Sequence, residues 1–321
     1  MQDTSGNRRK VVVVGAGAVG ATFAYALAQS GLADEIVLID RNEDLVRGQV
    51  LDLAHGQPFF PTVSIRKGDA SDYASASLIV ITAGAAQRPG ETRLQLLQKN
   101  AAVIKGVMTD IIEQASPAVI LVVTNPVDVM TYVAIETSGW DRSRVIGSGT
   151  VLDSARLEHL LSAHCGVDVH NVHGFVLGEH GDTEFVAWSL THIAGMQMDA
   201  YCPICKGCAD NLAEREAIAR QVRDSAYHII GYKGATWFAV GLALVRIAGA
   251  ILRNQRSVLT VSALLHGEFG LSDVCIGVPC IVSARGIERV VESVLSESEL
   301  AALHSSARTL KKAVEQLHAG A

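Results

Sequence analysis

Four consecutive valines, Val11–Val14, run straight into Gly15-Ala16-Gly17-Ala18-Val19-Gly20, and few folds accept that junction. An unalternating valine run suits a strand buried on both faces. The glycines then ask for a strand-to-helix turn: Gly15 for the tight bend, Gly17 for close approach of a pyrophosphate, Gly20 for packing of helix on strand. The helix that opens there offers free amides and partial positive charge to phosphate. Asp40, twenty residues beyond Gly20 at the end of the next apolar run, is placed to accept hydrogen bonds from an adenosine ribose. Its charge would repel a 2′-phosphate, so NAD is favoured over NADP, with Arg41 next door as the one opposing feature.

The same stretch imitates a secretion signal, with Arg8-Arg9-Lys10, an apolar run and then Ala26-Leu27-Ala28. The stricter glycine pattern outweighs that reading, and a cytoplasmic location is expected. The longest membrane candidate, Val240 to Leu252, is interrupted by Arg246. A net charge of −6 with no basic arm argues against nucleic-acid or membrane partners. Six cysteines in such a chain do not make a disulfide framework. Cys202, Cys205 and Cys208 have metal-ligand spacing but no evident fourth ligand, so the expectation is a surface turn and no metal.

With 321 residues, 49% of them hydrophobic, the chain can build two domains. Apolar runs at Val11–Val14, Ile36–Ile39, Leu78–Ile81, Val119–Val123 and Val145–Ile146 alternate with helical patterns such as Val19–Gln29. This is the signature of a parallel sheet covered on both faces. A longer helix opening after Pro89-Gly90 carries Leu94, Leu97, Ala101, Ile104, Val107 and Ile111 on one face. Beyond Gly149 the character changes. A helix with Asp153 and Arg156, a strand Val172–Leu177, and long helices near Asn211–Ile230 and Trp237–Leu252 are followed by strands at Val258–Ser262 and Val274–Pro279. A last helix opens at a capping box formed by Ser296 and Glu299. The expected class is α/β: a Rossmann-type doubly wound parallel sheet over residues 1–149 that binds NAD, and a second, α+β catalytic domain over 150–321.

Chemistry concentrates in a few polar motifs. Gly178-Glu179-His180-Gly181-Asp182 offers an imidazole that can give or take a proton. Asp153-Ser154-Ala155-Arg156 offers a carboxylate to orient it and, three residues on, a guanidinium able to grip a carboxylate. Thr124-Asn125-Pro126-Val127-Asp128 follows a strand's C-terminal end, where open α/β sheets bind ligands. Gln87-Arg88-Pro89-Gly90-Glu91-Thr92-Arg93 is a polar segment with the Pro and Gly of a loop. Singly, each has a bland alternative: a structural histidine, an i, i+3 surface pair, a solvated arginine.

Taken in order, and with Lys233-Gly234-Ala235-Thr236, these motifs resemble the L-lactate dehydrogenase family over essentially the whole chain. The resemblance implies reversible hydride transfer between NADH and pyruvate to give L-lactate. It makes His180 the acid–base residue, Asp153 its orienting carboxylate, Arg156 the clamp on the substrate carboxylate, and Arg93 a loop arginine that swings in to polarise the carbonyl. Asn125 resembles the bridge between substrate and nicotinamide, and Thr236 a lining residue of the substrate pocket. Gly15, Gly17, Val19, Gly20, Asp40, Gly84, Ala85, Val123, Thr124, Asn125 and Ser148 fall where the cofactor is held. Gln87 stands where malate dehydrogenases place an arginine for a second carboxylate; a neutral side chain there selects pyruvate over oxaloacetate.

Bacterial relatives activated by fructose 1,6-bisphosphate bind it with a histidine and an arginine. His173 matches the former, but Glu158 replaces the latter and would repel phosphate, so activation should be weak or absent. Leu45 and Ala70 replace the lysine and tyrosine found near the adenine end in many relatives. The family implies a homotetramer, with a dimer–tetramer equilibrium left open. The rivals are a malate dehydrogenase of the lactate-like type, disfavoured by Gln87, and a non-catalytic NAD-binding protein, disfavoured by the presence of His180, Asp153, Arg93 and Arg156 together.

Overall fold

A computed structural model describes residues 9–85, 90, 92–205 and 211–320. The stretch that imitates a secretion signal forms, from Lys10 on, a strand, a turn and a helix, as the glycine pattern expects. β1 (Lys10–Val14) is buried along its whole length and leads into α1 (Ala18–Ser30). There follow β2 (Glu35–Ile39), α2 (Glu43–His55), β3 (Ser64–Lys67), β4 (Leu78–Ile81), α3 (Arg93–Glu113), β5 (Val119–Val122), α4 (Val127–Ser138) and β6 (Val145–Gly147). The six strands pair in parallel in the order β3-β2-β1-β4-β5-β6. The order reverses between β1 and β4, which opens a crevice at their C-terminal ends.

The second half continues with α5 (Val151–Cys165), β7 (Val172–His173), β8 (Val176–Leu177), β9 (Phe185–Val186), β10 (His192–Ile193) and β11 (Met196–Gln197). Then come α6 (Met198–Cys205), α7 (Asn211–Lys233), α8 (Phe238–Leu252), β12 (Ser257–His266), β13 (Ser272–Ser283), β14 (Gly286–Val290) and α9 (Glu297–Ala319). The single strand expected over Val172–Leu177 is split into β7 and β8 around Gly174.

Sequence patterning did not indicate that β12, β13 and β14 extend the first half's sheet. They add antiparallel strands beyond β6 to make nine in one layer, joined where Ser262 faces Gly147. The core is correspondingly continuous: one apolar cluster runs from Val11 to Leu317, and a smaller one lies under β7–β11 and α5–α7.

The cysteine turn also differs from expectation. Cys202 is buried on α6, which carries Pro203 within it, so this segment packs rather than turning on the surface. The Cys205 side chain and Cys208 lie outside the described residues. No described helix is long and apolar enough to cross a membrane.

Candidate active site

The glycine turn has the geometry its residues demand. Gly15 takes φ +106°, and a Cβ there would meet the Ala83 nitrogen at 2.6 Å and Thr82 Oγ1 at 2.7 Å. At Gly20 a Cβ would sit 1.9 Å from the Gly15 carbonyl oxygen, so only glycine lets α1 approach the turn this closely. Gly17 faces open space on its Cβ side, which leaves room for a pyrophosphate. The Gly15 N–H donates to the Ile39 carbonyl (2.8 Å), fixing the turn to the end of β2.

Asp40 also has a structural task. Its Oδ2 accepts the Ala16 N–H (2.8 Å) and its Oδ1 the Asn42 N–H (2.9 Å), so the carboxylate that would meet the ribose also holds the phosphate turn in shape. Together the bend, the open face at Gly17 and the acid at Asp40 fit a dinucleotide.

Across the crevice, Gly84 and Ala85 face Thr124 and Asn125. Asn100 stitches the two loops together from the apolar face of α3. Its Oδ1 accepts the Ala85 N–H (2.8 Å) and its Nδ2 donates to the Asn125 carbonyl (2.8 Å). Asn100 is 2% exposed, and no sequence motif assigns it a role. Its one signal was a lone polar residue in the buried stripe Leu97, Ala101, Ile104. Thr124 Oγ1 donates to the Ala83 carbonyl (2.7 Å), a further tie between β4 and β5 beyond their ends.

His180 sits on a loop held from four sides. Gly178 and Gly277 of β13 exchange backbone hydrogen bonds at 3.0 and 2.9 Å. The Glu179 N–H donates to Ser306 Oγ of α9 (2.7 Å). The His180 N–H donates to Asp128 Oδ2 at the start of α4 (2.9 Å). Its ring Nδ1 lies 2.6 Å from Asp153 Oδ2 on α5. The other Asp153 oxygen accepts Arg156 Nη1 at 2.7 Å. The i, i+3 pair is therefore real, yet it ties up only one guanidinium nitrogen and aims the rest at the cleft.

Charge follows from this arrangement. The facing Asp153 carboxylate lifts the His180 imidazole to about 9, against the burial that opposes its charge. Burial pushes the Asp153 carboxyl up, but His180 and Arg156 outweigh it and hold it below its ordinary value. Asp128, 2% exposed, is pushed up by burial to about 6 in spite of the Ser262 hydroxyl and the His180 amide. An imidazole protonated at neutral pH, with Nδ1 committed to Asp153, has Nε2 free to donate to a substrate oxygen.

These groups open on one cavity of about 160 Å³. Val19, Val123 and Ser148 line it together with Asn125, Arg156, His180 and Thr236. Of the predicted substrate residues, Arg93 is not among those lining this cavity. Arg93 is the first residue of α3, capped by Thr92, with its side chain 85% exposed and 3.7 Å from Asp182. Asp182 in turn accepts the Tyr227 hydroxyl of α7. Gln87, the expected substrate selector, lies outside the described residues. His173 is exposed on β7, and Glu158 Oε1 accepts the Gly174 N–H (3.3 Å), filling the position where a phosphate-binding arginine was absent from the sequence.

A phosphate turn and a histidine–carboxylate pair sharing one cleft define an NAD-dependent oxidoreductase. The family model for the NAD-binding domain of lactate/malate dehydrogenases matches residues 9–147, and that for their α/β C-terminal domain matches 150–320. An L-lactate dehydrogenase of Treponema denticola is 57% identical over 97% of this chain and 99% of its own. A crystal structure of a lactate dehydrogenase from a Medee basin deep-sea metagenome library superposes with a TM-score of 0.94 at 41% identity, covering 97% of this chain and 99% of its own. The ligand-bound minor L-lactate dehydrogenase of Enterococcus mundtii superposes at 0.93 with 38% identity, over 96% and 98% of the two chains. The chain belongs to the lactate/malate dehydrogenase family, and its cofactor is NAD.

Proposed function

We propose that the protein interconverts pyruvate and L-lactate, with residues 1–149 holding the cofactor and 150–321 the substrate. The observation that supports this reading is the single cavity lined by both a protonatable imidazole, His180, and a partly free guanidinium, Arg156. When bound, the dihydronicotinamide supplies the hydride. Arg156 pairs with the substrate carboxylate and fixes its orientation. His180 Nε2 donates its proton to the carbonyl oxygen as the hydride arrives, and takes it back in the reverse direction. Asp153 fixes the tautomer and stabilises the imidazolium. Arg93, the first residue of α3, moves inward to polarise the carbonyl. Asn125 and Thr236 complete the substrate pocket.

One cation, Arg156, faces one carboxylate, and Gln87 leaves a second carboxylate unpaired in a closed site, which disfavours oxaloacetate. NADH oxidation followed by absorbance with pyruvate and oxaloacetate side by side tests the assignment. Pyruvate should be preferred in kcat/KM, and Gln87→Arg should move the preference toward oxaloacetate. A parent enzyme that prefers oxaloacetate would make the malate reading correct. Adding fructose 1,6-bisphosphate should leave the pyruvate KM unchanged, since Glu158 occupies the place of the phosphate-binding cation.

Self-association, as a homotetramer in the cytoplasm, completes the proposal. Tyr232, Phe238 and Leu242 are exposed beside an apolar cleft of about 300 Å³ that shares Arg156 and Thr236 with the active site. Covering such a patch with a second copy would bury apolar surface and brace α7 and α8.

A further inference from the structure

The histidine–aspartate pair has a third carboxyl beside it. Glu184, four residues after His180, is 5% exposed, and its carboxyl lies with ligand atoms of His180 and Asp153 in a cluster spanning no more than 4.8 Å. Its backbone N–H donates to the Gly181 carbonyl (3.1 Å), which pins the residue to the catalytic loop. Its side chain makes no hydrogen bond to any described residue. Both Asp153 oxygens and His180 Nδ1 are already engaged with one another and with Arg156, so the cluster is knit internally rather than arranged around a cation.

A buried carboxyl next to a second carboxylate is costly to ionise. Glu184 is pushed up to about 8 by burial first and by the Asp153 charge second, while His180, Arg156 and Arg223 pull the other way. His180 in turn feels Asp153, then Glu184, then Asp128. The charged groups around the pair are therefore Asp153 and Arg156 of α5, Arg223 of α7, Asp128 of α4 and Glu179 of the loop itself.

We propose that Glu184 is a positioning residue for proton transfer: its carboxyl, buried within 4.8 Å of the His180–Asp153 pair, holds the proton on His180 once it ionises and so extends pyruvate reduction to higher pH. This rests on the proposed lactate dehydrogenase activity. The proton Glu184 releases goes to solvent, and the one on His180 Nε2 stays available to the substrate oxygen. Two unlike charges about 5 Å apart in such a setting interact strongly enough to move a titration by about one pH unit or more.

The test is the pH dependence of both directions in the parent and in Glu184→Gln, which keeps the shape and removes the ionisation. Pyruvate reduction needs the imidazolium, so its alkaline limb should move down by about one unit. Lactate oxidation needs the neutral ring, so its rising limb should move down by the same amount. Near pH 8 the variant should therefore lose reduction and gain oxidation, whereas simple damage to the loop would lower both. Glu184→Asp, which retains the charge, should restore the parent profile. Limbs that superpose on the parent's overturn the proposal, and so does a loss of both activities that Glu184→Asp does not rescue. If the glutamine variant does not fold, a proton NMR titration of the His180 ring in the parent should show two steps. A single step overturns the proposal. A parent inactive with pyruvate would instead overturn the functional reading on which it rests.

Discussion

His180 is fastened to Asp128 through its backbone as well as to Asp153 through its ring. The amide donates to Asp128 Oδ2 at 2.9 Å, so α4 sets the height of the imidazole while α5 sets its tilt. The arrangement has an energetic consequence, because Asp128 is 2% exposed and burial raises it to about 6. A raised carboxyl binds its proton more tightly in the folded protein than in the unfolded chain. Stability therefore falls as pH climbs from the ordinary aspartate value to about 6, and the deficit persists above that. Asp128→Asn keeps an oxygen for the His180 amide and removes the buried charge. Thermal unfolding should show the variant gaining more over the parent at pH 8 than at pH 5, by roughly 1.4 kcal/mol. A gain that does not grow with pH would contradict this account of Asp128.

Asn100 joins the two walls of the cofactor crevice. Asn100→Ala leaves the Ala85 N–H and the Asn125 carbonyl without their partner, at a cost of about 1–3 kcal/mol. It should also weaken NADH binding several-fold, because both loops carry residues proposed to hold the cofactor. Fluorescence titration with NADH alongside thermal unfolding separates the two effects. A destabilised variant with unchanged NADH affinity would reduce Asn100 to a structural tie.

Arg93 should show the opposite split. Its ion pair with Asp182 is exposed on both sides, and such pairs contribute little to stability. Arg93→Gln should leave unfolding within about 0.5 kcal/mol of the parent. Yet kcat for pyruvate should fall about 100-fold if the guanidinium reaches the carbonyl on closure. Equal kcat values would show that the arginine stays outside, paired with Asp182.

The strands buried on both faces were readable because they are short apolar runs between turns: Leu78–Ile81 matches β4 to the residue. Strand β3 was not, since Ser-Ile-Arg-Lys at a sheet edge carries Arg66, which bridges Glu35 and Asp72 instead of packing. The continuation of the sheet through β12–β14 was invisible for a different reason. It depends on Ser262 meeting Gly147, a pairing across 115 residues that leaves no local periodicity. In the site, glycine geometry and the His180, Asp153 and Arg156 triad could be read because their chemistry demands particular residue types at particular spacings. Asn100, Asp128 and Glu184 could not. Each works by meeting a partner from another element, and along the chain they look like an ordinary helix polar residue, a helix N-terminal acid and a loop acid.

The central claim is that His180, oriented by Asp153, is the group that moves the substrate proton. Single-turnover NADH oxidation by His180→Gln at pH 7 tests it most directly, with NADH binding measured on the same sample. The account predicts NADH affinity within about twofold of the parent, since the cofactor turn lies on other elements. It also predicts that pyruvate-dependent oxidation slows by about 10²–10⁴-fold. A variant that binds NADH normally and still reduces pyruvate within tenfold of the parent rate would contradict it.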